Sequence, residues 1–152
     1  MARRNVSRTK RPSAARDELE SPSVQRSRTM RAVRSRDTAP ELAVRKMLRS
    51  LGFIGYRLHR KELPGKPDVA FLKRRKAIFI HGCFWHGHDC PRGSRKPSTN
   101  VGYWLPKIER NRQRDTECVA ALNQLGWSSL TVWECELRDS GALAAKLTSF
   151  LL

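Results

Sequence analysis

Apolar residues recur every three or four positions over residues 42–51, and this spacing predicts a helix. The recurring side chains would share one helix face: Leu42, Val44, Met47, Leu48 and Leu51. Thr38 is suited to the N-cap, Pro40 to the first turn, and Glu41 to the third position of a capping box. Gly52 follows as a stop signal. We therefore expect the first helix to begin after Thr38 and to end near Leu51.

Three short apolar segments follow and predict strands. They cover residues 53–59, 68–72 and 77–81, and the third is apolar enough to lie at the centre of a sheet. Residues 63–67, LPGKP, have the composition of a turn. Residues 73–76, KRRK, predict a charged hairpin turn between the second and third strands.

The second half of the chain predicts two more helices and one more strand. Residues 82–99 form a loop rich in Cys, His, Gly and Pro. A long helix is expected from Val101 to Leu125, with Gly126 at its end. A strand over residues 129–133 and a helix over residues 140–151 follow. This order predicts an α/β fold in which helices flank a small mixed β-sheet.

The charge of the chain points to a partner. Its 152 residues suffice for one compact domain, and they carry 31 Lys and Arg against 14 Asp and Glu, a formal net charge of +17. This excess favours a polyanion, most commonly nucleic acid; the alternative is a solvated basic tail on an unrelated domain. No apolar run is long enough for a membrane span, and the basic N-terminus lacks the apolar core of a secretory signal. We therefore expect no membrane partner and a cytoplasmic location.

The N-terminal residues differ in composition from the rest of the chain. Residues 1–24 are rich in Arg, Ser and Pro, and they carry too few large apolar side chains to offset the entropy of ordering. We expect a disordered basic tail over residues 1–24 and one folded domain over residues 25–152. Within that domain, the basic segment 25–37 could be an arm that orders on DNA.

Potential metal ligands are concentrated in the loop after the third strand. The ligands are Cys83, His86, His88 and Cys90, and Cys135 follows the last strand. Thiolates and imidazoles at this spacing suit tetrahedral Zn2+, and His88 with these three cysteines would close a structural Cys3His site. Cys118 competes with Cys135 for the fourth position, although a buried, inert thiol suits it better. The alternative to a metal site is a set of core cysteines and surface histidines.

Asp68 begins a strand just before the hairpin, and His81 ends the partner strand. Phosphodiester hydrolysis needs a carboxylate to hold Mg2+, a base for water, and a group that stabilises the leaving oxygen. Asp68 and His81 could face one cleft, with His86 as the general base because an imidazole titrates near neutral pH. Initiation of a turn is the alternative role for Asp68. Glu41 could cap the first helix, handle metal or water, or do both in turn.

Six motifs, taken in order, resemble those of one nuclease family. They are TMRAV at 29–33, RDT at 36–38, LPGKPD at 63–68, FIHGCFWH at 79–86, WLPKI at 104–108 and VWEC at 132–135. Over about residues 25–140 the chain resembles the very short patch repair (Vsr) endonucleases. The resemblance implies a restriction-endonuclease-like fold. It also implies nicking of duplex DNA 5′ to the T of a T:G mismatch, the product of 5-methylcytosine deamination.

The resemblance also implies roles for individual residues. Asp68 and the backbone carbonyl of Ile80 would bind Mg2+, and His86 would activate water. His81 and Glu41 would be further catalytic groups. The predicted zinc ligands match the structural zinc site of the family: Cys83, His88, Cys90 and Cys135.

An aromatic wedge that intercalates beside the mismatch is implied as well: Phe84, Trp85 and Trp104, with Met30 entering from the other groove. Lys107 and Asn111 fall where contacts to the mismatch are expected. Stacking of a base on an aromatic ring contributes about 1–3 kcal/mol, which can offset unstacking, and a mismatched step opens more easily. Packing into the helix core is the alternative role for Trp104.

The chain departs from the family pattern at a few positions. Ile80 stands where Thr is common, which is tolerated if only the backbone carbonyl binds metal. Gly87 and Asp89 interrupt what is often a run of histidines. The Glu-x-Lys ending of many nucleases is missing, as it is in the family. None of these departures removes a predicted ligand.

Three functions compete on the sequence alone. The first is a mismatch-nicking enzyme that acts as a monomer, for which the family implies mismatch-repair proteins and a paired cytosine-5 methyltransferase as partners. The second is a restriction-associated or sequence-specific nuclease on the same scaffold. The third is a zinc-containing DNA-binding module without catalysis, and the four predicted catalytic side chains argue against it. The wedge aromatics favour the first function over the second by resemblance alone.

Overall fold

The computed structural model describes residues 36–152, and the predicted tail, most of the arm and Met30 lie outside this range. The predicted elements occur in the predicted order, and a 3-10 helix that was not predicted precedes the last of them: α1 (Ala39–Ser50), β1 (Arg57–Leu58), β2 (Val69–Phe71), β3 (Lys76–His81), α2 (Val101–Gln124), β4 (Ser128–Trp133), the 3-10 helix (Glu134–Arg138) and α3 (Ser140–Leu151). Within these residues, no helix has both the length and the apolar character that crossing a membrane requires.

Helix α1 begins as the sequence predicts. Thr38 is the N-cap, and its Oγ1 accepts a hydrogen bond from the Glu41 amide (3.4 Å). The Glu41 carboxylate in turn accepts from Thr38 Oγ1 (2.9 Å) and from the Asp37 amide (3.0 Å). These contacts satisfy backbone donors that a helix start leaves without partners. They also fix the Glu41 side chain, which is buried.

The four strands form one mixed sheet in the order β1-β2-β3-β4. The first three strands pair antiparallel, and β3 pairs parallel with β4. In the β2–β3 hairpin, Val69 pairs with Ile78. Because side chains alternate between the two faces of a strand, Val69 and Ile78 share one face. Asp68, Phe79 and His81 then belong to the other face.

Helices cover both faces of the sheet. The larger core lies between one face and helices α1 and α3, and it consists of Val44, Leu48, Val69, Phe71, Ile78, Val132, Leu143, Leu147 and Leu151. On the opposite face, Ala77 and Phe79 pack against Leu122 of α2. The predicted fold class, an α/β domain with a small mixed sheet flanked by helices, is confirmed.

The predicted strand over residues 53–59 is wrong in extent, because only Arg57–Leu58 pairs with β2. Phe53 and Tyr56 pack against the larger core, but Ile54 is 74% exposed. Gly55 has a φ of +82°, a left-handed conformation that interrupts an extended strand. The apolar residues of this segment therefore anchor a bend of the chain to the core.

Candidate active site and metal centre

A cavity of about 820 Å³ opens beside the sheet face that α2 covers. Its lining includes the four side chains that the sequence analysis assigned to catalysis: Glu41, Asp68, His81 and His86. Ile80, the predicted source of a backbone ligand, lines the same cavity. The fold thus brings together residues that are up to 45 positions apart in the sequence, since Glu41 and His86 are separated by that number.

The Asp68 carboxylate is held across the hairpin. Its Oδ2 accepts a hydrogen bond from the Ile80 amide (2.7 Å). Burial raises the pKa of Asp68 to about 6; the Ile80 hydrogen bond opposes this rise, and the nearby Glu41 carboxylate adds to it. The ionised carboxylate is therefore incompletely compensated by the protein. Carboxylate and carbonyl oxygens are the ligands that Mg2+ prefers, so this position fits a bound divalent cation.

Two histidines stack on each other in the cavity and share one carboxylate. The rings of His81 and His86 lie 3.8 Å apart between centroids and are nearly parallel, at 10°. The Asp115 Oδ2 atom is 2.5 Å from His86 Nδ1 and 3.7 Å from His81 Nδ1. The Asp115 carboxylate can accept a hydrogen bond from His86 Nδ1–H, and in that tautomer His86 Nε2 is a proton acceptor.

His81 differs from His86 in its electrostatic environment. Burial lowers the pKa of His81 to about 4, and the neighbouring His86 adds to this lowering while Asp115 opposes it. His81 is therefore neutral at neutral pH. His81 therefore places no positive charge next to His86, the ring that was predicted to act as the general base.

Glu41 has the predicted capping role, and its side chain also reaches the cavity. In addition to its capping contacts, its Oε2 accepts a hydrogen bond from the Arg45 guanidinium at 2.9 Å and lies 3.5 Å from His59 Nε2. The side chain also lines the catalytic cavity. Helix capping and proximity to the cavity thus occur in the same conformation.

His59 and Asp115 contact the predicted catalytic side chains but were not identified from the sequence. The His59 amide donates to the Asp68 carbonyl (3.4 Å), and its Nδ1 lies 3.8 Å from Asp68 Oδ1. This proximity depends on the pairing of β1 with β2, for which the local sequence carries no signal. Asp115 could have been found, because it lies four residues after Asn111 and so shares its helix face.

Four potential zinc ligands converge at the end of the sheet: Cys83, His88, Cys90 and Cys135. Their ligand atoms all lie within 4.8 Å of one another, and Cys135 Sγ is 3.5 Å from His88 Nδ1. Tetrahedral Zn2+ with bonds of about 2.0–2.3 Å needs ligand atoms roughly 3.5–4 Å apart. The Cys3His cluster therefore fits zinc, and four protein ligands indicate a structural site.

The parallel pairing of β3 and β4 decides which cysteine completes the cluster. His81 pairs with Trp133, so Cys135 follows β4 at the edge where the loop leaves β3. The ring of Trp133 stacks on His88 (4.2 Å between centroids, 13°). Cys118 instead lies against Gly65, where an added Cβ would come within 2.9 Å of Cys118 Cβ. Among the two cysteines that competed for the fourth position, the structure thus favours Cys135.

The three described wedge residues form one aromatic cluster. The ring centroid of Trp85 lies 5.3 Å from that of Phe84 and 5.5 Å from that of Trp104. The centroids of Phe84 and Trp104 lie 6.1 Å apart. Each ring is half-buried. Trp104 is consequently packed against the loop aromatics and not into the helix core. Tyr103 extends the cluster, with its ring centroid 5.0 Å from Trp104.

The two polar residues predicted to contact the mismatch lie beside this cluster. The Lys107 ammonium is 5.3 Å from the Trp104 ring centroid, which is a cation–π distance. Asn111 Nδ2 donates a hydrogen bond to the Trp85 carbonyl (2.8 Å). In this structure, Asn111 therefore supports the backbone of the loop that carries Phe84 and Trp85.

A partly buried carboxylate that shares a cavity with a pair of imidazoles suits metal-assisted phosphodiester hydrolysis. Together with the basic composition, it defines the class of protein as a nuclease. The family model described as DNA mismatch endonuclease Vsr matches residues 20–92, and the chain belongs to this Vsr family. The prediction of a DNA endonuclease is confirmed at that level.

Three relatives illustrate the range of the family. The chain is 53% identical to the type II nicking enzyme V.XorIIP of Xanthomonas oryzae pv. oryzae over 80% of its own length and 88% of the relative. It is 41% identical to the type II nicking enzyme V.NmeAIP of Neisseria meningitidis serogroup A, over 80% and 86%. It is 43% identical to the DNA mismatch endonuclease Vsr of Escherichia coli K12, over 74% and 71%.

We expect the substitution Asp68→Asn to stabilise the protein in buffer without Mg2+. The pKa of this carboxyl is raised on folding, so the cost of burying its charge is present above pH 6 and is lost as the pH falls toward 4. The gain in the free energy of unfolding should be about 1–3 kcal/mol at pH 8 and close to zero at pH 4. Urea unfolding at the two pH values measures it. Equal stability of the two proteins at pH 8 would contradict the electrostatic account.

We also expect Cys135→Ser to lose bound zinc and thermal stability together, because three ligands cannot close a tetrahedral site. Cys118→Ser is the matched control, since this thiol lies outside the cluster, and it should retain zinc. Zinc content by elemental analysis and the unfolding midpoint provide the measurements. Full zinc occupancy in the Cys135 variant would exclude this residue from the site.

Proposed function

We propose that the protein is a Mg2+-dependent nicking endonuclease that hydrolyses one strand of duplex DNA at a defined target sequence, as a restriction-associated enzyme would. The observation that carries this proposal is the shared cavity of Asp68, His81 and His86. The names of the relatives at 53% and 41% identity, both type II nicking enzymes, support a nick in one strand.

The proposed roles of the residues follow from their contacts. Asp68 and the Ile80 carbonyl would hold Mg2+, which supplies positive charge that stabilises the phosphoryl and leaving oxygens. His86 Nε2 accepts a proton from the attacking water, because Asp115 holds the other ring nitrogen. Asp115 also stabilises the imidazolium that forms. His81 remains neutral and supports the plane of His86 through stacking.

A second candidate function is nicking 5′ to the T of a T:G mismatch in DNA repair. The aromatic cluster of Phe84, Trp85 and Trp104 favours it, because three rings side by side can stack on bases and offset the unstacking of a weak base pair. The family description, DNA mismatch endonuclease, supports the same candidate. Mismatch-repair proteins and a paired cytosine-5 methyltransferase would then be partners.

Nicking of four duplex types should separate the two candidates. Matched and T:G-mismatched duplexes, each in a target and a scrambled sequence context, are incubated with zinc-loaded protein and Mg2+. Strand cleavage is read on denaturing gels. Cleavage that depends on sequence but is equal for matched and mismatched duplexes supports the first candidate. Cleavage that requires the mismatch supports the second. Nicking of none of the duplexes would contradict both.

We expect Asp68→Ala to abolish nicking while the fold and zinc content persist. Removal of a residue that only supports a metal ligand lowers activity by up to roughly 100-fold. Loss of the ligand itself should lower the nicking rate by more than this factor. Asp89→Ala is the control, because Asp89 is an exposed carboxylate outside the cavity and the zinc cluster, and it should keep wild-type rates. Retained nicking by the Asp68 variant would refute its role as the Mg2+ ligand.

A further inference from the structure

A second cavity, of about 240 Å³, also reaches Asp68. Its other walls are Arg36, His59 and Lys66, so three of its four lining residues are basic. Asp68 and Lys66 line both this cavity and the larger catalytic one. The two cavities therefore meet at the carboxylate that is proposed to hold Mg2+.

The backbone is strained at two of the basic positions. His59 has a φ of +47° and Lys66 a φ of +52°, a region that residues other than glycine rarely adopt. Local hydrogen bonds hold both conformations, from the His59 amide to the Asp68 carbonyl and from the Lys66 amide to the Leu63 carbonyl. Non-glycine residues held in this region cluster at ligand sites, where the surrounding structure enforces the conformation. The strain at these two residues, which line the same cavity as Asp68, is therefore a second indication of a site.

The charges around the cavity favour an anion. Within residues 36–152, neither the Arg36 guanidinium nor the Lys66 ammonium forms an ion pair with an acidic side chain. His59 Nε2 is buried and meets no hydrogen-bond partner in the same part of the chain, although it lies 3.5 Å from Glu41 Oε2. An anion in the cavity would thus meet two cationic side chains that have no acidic partner within residues 36–152, and beside them the His59 ring.

A second metal ion fits the region of this cavity less well than an anion does. Asp37, Glu41 and His59 place ligand atoms within 4.8 Å of one another. However, the Arg45 guanidinium already contacts Asp37 Oδ1 (2.7 Å) and Glu41 Oε2 (2.9 Å). A divalent cation would be repelled by this guanidinium or would have to displace it. Arg45 therefore already offsets part of the negative charge that a second cation would need.

We propose that Arg36, His59 and Lys66 bind a backbone phosphate of the cut DNA strand, next to the scissile phosphate. This inference rests on the proposed function, because it takes Asp68 to mark the scissile linkage. Successive phosphates of one strand lie about 3.4 Å apart along the helix axis, so a cavity that shares the Asp68 wall reaches a near neighbour. Such a contact carries no sequence information but fixes the position of the strand at the cleavage site.

A cycle of protein and DNA substitutions tests the contact. In the duplex that the wild-type protein cuts best, one phosphate at a time is replaced by an uncharged methylphosphonate, and single-turnover nicking is measured with wild type, Lys66→Met and Lys73→Met. Lys73 is the matched control, since it is an exposed lysine in the turn at the other end of the β2–β3 hairpin from Asp68. His59→Asn is a second test variant, because Asn tolerates the left-handed backbone.

At one position near the scissile phosphate, the methylphosphonate should slow the wild-type protein by at least about tenfold. Lys66→Met should be slowed by a similar factor on the unmodified duplex and should lose little more from this methylphosphonate. At all other positions, the slowing caused by the methylphosphonate and the slowing caused by Lys66→Met should multiply. Each methylphosphonate should slow Lys73→Met by the same factor as the wild type. Effects that multiply at every position for both Lys66→Met and His59→Asn would overturn the proposal.

A binding measurement distinguishes failure of the phosphate site from failure of the proposed function. If the wild-type protein nicks no duplex, the same cycle is measured as Kd on a T:G-mismatched duplex by fluorescence anisotropy without Mg2+. The phosphate site is supported even then if one methylphosphonate weakens binding of the wild type but causes little further loss of affinity in Lys66→Met. If the reductions in affinity caused by the methylphosphonate and by Lys66→Met multiply at every position, the phosphate site is overturned. Unfolding midpoints of all variants, compared with wild type, identify any loss that comes from the fold.

Discussion

The register of the β2–β3 hairpin is the constraint on which the candidate active-site cavity depends. Val69 pairs with Ile78, and this pairing places the Asp68 carboxylate within hydrogen-bond distance of the Ile80 amide. It also gives His81 the same sheet face as Phe79, toward α2. A slip by one residue would turn every side chain of the strand to the opposite face. The apolar pairs of the hairpin prevent this, because Val69 and Ile78 are fully buried in the larger core.

The Cys3His cluster extends this constraint to the loop after β3. Residues 82–99 contain no helix or strand, so regular backbone pairing does not hold them. Side-chain contacts tie this loop to the rest of the fold. The cluster joins it to Cys135 after β4, Asn111 of α2 binds the Trp85 carbonyl, and Arg92 pairs with Glu134. His86 and the loop aromatics lie between these anchors. The structural metal site therefore also positions the group assigned as the base and the rings assigned to the DNA.

Stability and catalysis make opposite demands on the cavity. Burial of Asp68 raises its pKa to about 6, and the same desolvation strengthens the attraction of the carboxylate for a cation. Glu41, 4% exposed, is held by the helix start and by Arg45, so it can lie near Asp68 without being an uncompensated buried charge. The strained backbone at His59 and Lys66 adds a further cost beside the same carboxylate. These costs are concentrated where the chain is proposed to contact metal and phosphate.

The sequence by itself determined the element order, the α1 cap at Thr38, the Cys3His spacing and the family, because these depend on local spacing and on motifs of adjacent residues. It also identified Asp68, His81 and His86 as candidates, since each lies in such a motif. Only the tertiary structure decided between Cys118 and Cys135, shortened the first strand at Gly55, and brought His59 to Asp68 and Asp115 to His86. These contacts join segments that are distant in the chain. They depend on strand register and on helix packing, which no local pattern encodes.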